Sequence, residues 1–106
     1  MAYFYRNEKG EEPAKKWLHS LKDKLGLAKI LTRIRRAEKG NFGDHKKLSG
    51  GVHEFKIVHG PGYRVYYGID DRENLIVLLI VGSKSTQNKD IEKAKLYWSD
   101  YKKRRL

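Results

Sequence analysis

The sequence predicts a single α+β domain: an antiparallel sheet packed on an N-terminal helical hairpin, with a C-terminal helix, in the order β-α-α-β-β-β-α. Three observations predict it. Apolar residues recur at helical spacing in two stretches before residue 40 and in one after residue 86. Between them lie three strand-length apolar runs separated by turn residues. At 106 residues the chain has room for one compact core over 1–106, and helices gathered against an antiparallel sheet are the way such a pattern buries its apolar faces.

Taken in order, Ala2 to Tyr5 is aromatic and suits a short edge strand, which "NEKGEEP" breaks. Pro13 fits the first turn of a helix, and Ala14, Trp17, Leu18 and Leu21 follow at i, i+3, i+4 and i+7. Leu27, Ile30, Leu31 and Ile34 repeat that spacing, and Gly40 stops the second helix. The short link "KDKLG" predicts an antiparallel helical hairpin. "NFGDHKKLSGG" reads as loop, with a short extended piece around Lys46 to Leu48. Strands are expected at Val52 to Val58, Tyr63 to Ile69 and Leu75 to Val81, with turns at "HGPG" and "DDREN". A last helix starts near Gln87, its stripe formed by Ile91, Ala94, Trp98 and Tyr101. Trp17 and Trp98 both fall on core stripes.

Composition narrows the class of partner. There are 24 Lys and Arg against 13 Asp and Glu, a formal charge of +11. Such an excess attracts polyanions: nucleic acid, acidic lipid or an acidic protein. With no cysteine, a disulfide framework and a cysteine-ligated zinc site are excluded. No apolar run has the length of a signal peptide or a membrane span, so the expectation is a cytoplasmic protein that does not engage a membrane.

The sharpest local signal is the hairpin "GVHEFKIVHGPGYRVYYG". Strand side chains alternate between faces, and directly opposed residues share one. Joining the apolar faces requires Ile57 opposite Tyr63 and Phe55 opposite Val65. That register needs an odd-length connection, and it sets Lys56 opposite Arg64 and Glu54 opposite Tyr66. Opposed like charges are unfavourable by roughly 0.2–1 kcal/mol. Snorkelling into solvent would relieve the repulsion, and so would a bound phosphate. Arg64 can grip two phosphoryl oxygens, and Lys56 can act as a second charge or as a base. Tyr66 on the same face could stack on a nucleobase. Lys84 follows just beyond the last strand. If the helices take the other side of the sheet, the Lys56–Arg64 side is left open as a surface.

These stretches resemble the RelE superfamily of toxin ribonucleases, in its HigB-like "addiction module killer protein" branch. The runs that carry the resemblance are G-V-x-E-x-K-I, G-P-G-Y-R-V-Y-Y and G-x-K-x-x-Q-x-x-D-I-x-x-A, with "WLHSLKD" near the start, so it spans nearly the whole chain. The resemblance implies a RelE-like fold and the toxin of a type II toxin–antitoxin pair. Such a toxin is an endoribonuclease that cuts translated messenger RNA on the ribosome, without metal or other cofactor. The 2′-hydroxyl attacks the adjacent phosphate. It implies two partners: a cognate antitoxin, of helix-turn-helix type, and the ribosome with its messenger and ribosomal RNA. By position, Arg64 matches the strand arginine that stabilises the transition state, Lys56 a strand lysine serving as base or phosphate clamp, and Lys84 a basic residue after the last strand. Two departures stand out. A tyrosine that some relatives use near the start of the last helix has no counterpart among Gln87, Asn88, Lys89 and Asp90. The residue after the strand is Lys84 rather than arginine, which removes bidentate contact there. ParE-like relatives share the fold and poison DNA gyrase instead, and a non-catalytic RNA-binding module would use the charge alone.

Other features have structural readings beside functional ones. Lys29, Arg33 and Arg36 form a basic stripe on the second helix, either a solvated face or a contact for ribosomal RNA. Lys46 and Lys47 read the same way, and His45 in their loop could touch RNA. His53 and His59 lie on the parity of Phe55 and Ile57, where a structural or rim role is expected, and no metal spacing appears among the histidines. Gln87 and Asp90 match the family run but also suit helix capping.

Overall fold

A computed structural model describes residues 1–105. The elements are β1 (Ala2–Phe4), α1 (Pro13–Ser20), α2 (Lys24–Glu38), β2 (His45–Lys47), β3 (His53–Ile57), β4 (Tyr63–Asp70), β5 (Leu75–Ser83) and α3 (Gln87–Arg104). Short 3-10 turns at Ser49–Gly51 and Lys84–Thr86 precede β3 and α3. Pro13 opens α1, and the Asp23 carboxylate caps α2 by accepting from the Gly26 amide at 2.9 Å.

The five strands form one sheet in the order β1-β5-β4-β3-β2. β2 to β5 are antiparallel, as expected, but β1 runs parallel to β5, with Ala2 beside Ile76 and Phe4 beside Leu78. The sheet is therefore mixed rather than antiparallel. The reason lies in the connection: α1, α2 and three strands separate β1 from β5, a crossover long enough to let the two pair in the same direction. The three-residue β2 lies at the opposite edge with all its side chains exposed, and its two lysines blunt that edge against further pairing.

Helices cover both faces of the sheet. On one, Ala14 and Leu18 of α1 and Ile30 and Ile34 of α2 pack on Phe55, Val65, Tyr67 and Leu78. The two helices pack chiefly against strands, α1 on β5 and β1, α2 on β3 and β4, so they are less a hairpin of their own than two neighbours on a common sheet. On the other face, Ala94 and Trp98 of α3 join Tyr5, Val52, Tyr66, Val77, Leu79 and Ile80. This corrects the expectation that all helices share one side. β5 carries apolar residues at both parities because both its faces are covered. A bulge helps: partners step from Tyr66–Ile80 to Tyr67–Leu78, leaving Leu79 unpaired, and Leu79 and Ile80 both join the α3 layer. No helix among the described residues is long and apolar enough to cross a membrane.

The far end of α3 is clasped to the sheet. Tyr101 donates to Asp70 Oδ2 at 2.6 Å, and Arg105 Nη1 lies 2.6 Å from Asp70 Oδ1. Tyr5 donates to Asp100 at 2.6 Å. The helix thus starts beside the Arg64–Gly82 pair of β4 and β5 and ends at Asp70.

Candidate anion site at the start of the last helix

The hairpin register is the one that alternation demands: Ile57 opposite Tyr63, Phe55 opposite Val65, Lys56 opposite Arg64, Glu54 opposite Tyr66. The row continues onto β5, where Gly82 is the partner of Arg64. Lys84 comes two residues later, its amide donating to the Gly62 carbonyl at 2.9 Å. Gly62 adopts φ +77°, and a Cβ there would lie 3.8 Å from Arg64 Nη1 and 3.9 Å from Lys84 Cβ. Two of the three predicted cations thus flank one glycine, and the third faces Arg64 across the strands.

Exposure differs among them. Lys84 is exposed and Lys56 half-buried, whereas Arg64 is only 8% exposed. The surface is consequently not the open one expected from placing every helix on the far side: α3 lies over it and leaves the Lys56 end accessible. Tyr66 is a clear correction. It is fully buried beneath α3, so its ring is a core element and cannot stack on a base. Burial, reinforced by the charges of Glu54 and Asp90, pushes its phenol well above the usual range.

Two acids lie under the cations. Glu54 is 0% exposed, with Oε1 4.0 Å from Arg64 Nε. Asp90, on the first turn of α3, is also buried and accepts from the Thr86 hydroxyl. Sequence reasoning misses Glu54 as a site residue, although a signal exists. It shares a face with Tyr66, and a β5 that is apolar at both parities requires that face to be covered. In place of the backbone capping its position suggests, Asp90 takes the Thr86 hydroxyl and packs against Gly82.

The wider basic set divides. Arg33 is not free: its guanidinium donates to the carbonyls of Lys56, Phe42 (3.0 Å) and Asp44 (3.2 Å) and lies 5.0 Å from the Phe55 ring centroid. It pins the 42–44 loop to β3, and burial pulls its pKa down. Lys29 and Arg36 remain exposed, lining a groove of about 300 Å³ floored by Ala28, Ile57 and Val58. Lys46 is opposite Glu54 and so shares the face of Lys56 and Arg64; His45 and Lys47 take the other. The His45 ring bonds the Gly43 carbonyl through Nδ1 at 2.8 Å.

His53 stacks on Tyr67 with centroids 5.3 Å apart, and burial lowers its pKa. His59 Nε2 lies 3.2 Å from Asp23 Oδ2, which also accepts from Tyr63 at 2.7 Å. Both histidines therefore serve the structure on the α1–α2 side of the sheet. Among the described residues no group of three or more His, Asp or Glu side chains could hold a metal ion. What Lys56, Arg64 and Lys84 can do chemically is bind an oxyanion and stabilise charge developing on it.

No protein-family model matches the chain. It is 49% identical over 80 residues to a protein of Haemophilus influenzae described as an uncharacterized protein, a match covering 76% of this chain and 80% of the other. The chain belongs to the same family as that Haemophilus influenzae protein.

Proposed function

We propose that this protein is the toxin of a type II toxin–antitoxin pair, with a RelE-like fold of the HigB-like branch. It acts as a ribosome-dependent endoribonuclease on translated messenger RNA. The observation that carries the reading is Lys56 directly opposite Arg64, with Lys84 joined through Gly62, in a chain of formal charge +11.

In the reaction the 2′-oxygen forms a bond to the adjacent phosphorus while the bond from phosphorus to the 5′-oxygen breaks. A proton leaves the 2′-hydroxyl and one reaches the departing oxygen, giving a 2′,3′-cyclic phosphate and a free 5′-hydroxyl. Arg64 neutralises the charge growing on the phosphorane oxygens, where fixed donors contribute most. Lys56 is the second charge, or the group that takes the 2′ proton. Lys84 holds the phosphate from the β5 side. No metal is needed for these roles. Lys29, Arg36, Lys46 and Lys47 meet ribosomal RNA through phosphate contacts, and the cognate antitoxin, of helix-turn-helix type, covers the basic surface with an acidic segment. Action on ribosomes places the protein in the cytoplasm.

The test is a cell-free translation reaction containing the protein, with message ends mapped by primer extension and a parallel reaction without ribosomes. Cuts within translated codons that vanish without ribosomes are expected. Intact message with halted translation would favour a non-catalytic ribosome binder. Intact message with normal translation would point to the gyrase-directed reading.

A further inference from the structure

Four polar atoms meet on the α3 face of β3 and β4 with no hydrogen-bond partner: Glu54 Oε1 and Oε2, Arg64 Nε and the Tyr66 hydroxyl. Register makes them neighbours. Glu54 is directly opposite Tyr66, and Arg64 is the next residue of β4 on the same face. A fully buried carboxylate is costly unless an opposite charge compensates it, and here that charge is Arg64, whose Nε is 4.0 Å from Glu54 Oε1. The separation exceeds a hydrogen bond, so the two are held as a charge pair.

The guanidinium therefore has two working edges. Its Nε edge faces the buried acid, while Nη1 reaches the Gly62 carbonyl at 3.4 Å, on the side of Lys84. A negative charge behind an anion site weakens the site's potential, so its presence there calls for a compensating use. Orientation is one: a planar fork acts on a phosphate only when its plane is fixed.

We infer that Glu54 is a positioning residue, holding Arg64 by its Nε edge so that the Nη edge faces an oxyanion bound between Lys56, Arg64 and Lys84. For its effect on cleavage the inference rests on the nuclease reading above; for orientation and anion binding it does not.

The two consequences of removing the charge have opposite signs, which makes the inference testable. Pyrophosphate is the anion probe, titrated against the wild type and Glu54→Gln while the Arg64 Nε–Hε resonance is followed by NMR. In the wild type that resonance is distinct and slow to exchange, and pyrophosphate shifts it. In Glu54→Gln it moves to the position of a free arginine, yet pyrophosphate binds no more weakly, because a nearby negative charge has gone. Single-turnover cleavage on programmed ribosomes then falls about a hundredfold with KM unchanged, and Glu54→Asp recovers part of both signals. An Arg64 resonance unchanged in Glu54→Gln, or cleavage at the wild-type rate, overturns the inference. If the wild type cuts no message, the nuclease reading fails and the resonance alone decides orientation. Should Glu54→Gln melt below the assay temperature, Glu54→Asp carries the comparison: it keeps the charge, withdraws it by one methylene, and must still disturb the resonance.

Discussion

The Asp90 carboxylate lies so close over Gly82 that a Cβ added to the glycine would be 2.0 Å from Oδ2. Gly82 is also the β5 partner of Arg64, so this contact sets how near the start of α3 can come to the anion site. Gly82→Ala is expected to push Asp90 and the Thr86 hydroxyl outward and to cost about 2 kcal/mol, the usual range for overpacking. Urea denaturation measures the destabilisation, and hydrogen exchange should show it concentrated at residues 84–90.

Arg64 and Glu54 depend on each other for stability as well as for orientation. Arg64→Met leaves the buried Glu54 carboxylate uncompensated and should cost about 3–5 kcal/mol. Adding Glu54→Leu should restore most of that, since an apolar pair suits the α3 layer. A double-mutant cycle by chemical denaturation checks it, and two additive losses would contradict it.

Asp70 gives the fold an acid limit. The Tyr101 hydroxyl above all, and then Arg105, draw its carboxyl from 3.8 down to about 2 against the opposing effect of burial. A depressed carboxyl stabilises the fold above its unfolded value, and that stability is lost as pH falls from about 3.8 to about 2. Asp70→Asn should therefore be less stable by about 2 kcal/mol at pH 7, with the gap closing over that window. Thermal melts from pH 7 to pH 2 measure it. Asp100, lowered first by the Tyr5 hydroxyl, keeps part of the acid slope in the variant.

The basic residues should separate into two groups. Lys29→Ala, Arg36→Ala, Lys46→Ala and Lys47→Ala are expected to weaken ribosome binding and to reduce its dependence on log salt by about 1 for each phosphate no longer neutralised, while cleavage of bound message continues. Arg33→Ala should instead lower stability by about 2 kcal/mol, because three backbone carbonyls lose their donor. Ribosome pelleting across a salt series, beside melting curves, distinguishes them.

Local pattern carries the reading of the hairpin. Phe55, Ile57, Tyr63 and Val65 leave one register that keeps apolar residues together, and it brings Lys56 to Arg64. The helix stripes are legible for the same reason. What periodicity does not encode is which side of a sheet a helix takes. The stripe of Ile91, Ala94, Trp98 and Tyr101 shows that α3 packs, not that it packs over Tyr66 and Arg64. That choice follows from contacts about thirty residues apart in sequence, Trp98 against Gly68 and Tyr101 against Asp70. The direction of β1 is hidden likewise, since it depends on a partner more than 70 residues away. Glu54 is hidden because a lone acid between His53 and Phe55 looks solvated until its face is known to be covered.

If Arg64 acts on the phosphate as an oriented fork, Arg64→Lys should abolish that action while keeping the charge. The lysine keeps the charge beside Glu54 but loses the two-edged geometry. The measurement is single-turnover cleavage of message on programmed ribosomes, with ribosome pelleting alongside. The expected result is a cleavage rate reduced at least about a hundredfold with pelleting unchanged. Equal cleavage rates for Arg64→Lys and the wild type would contradict it.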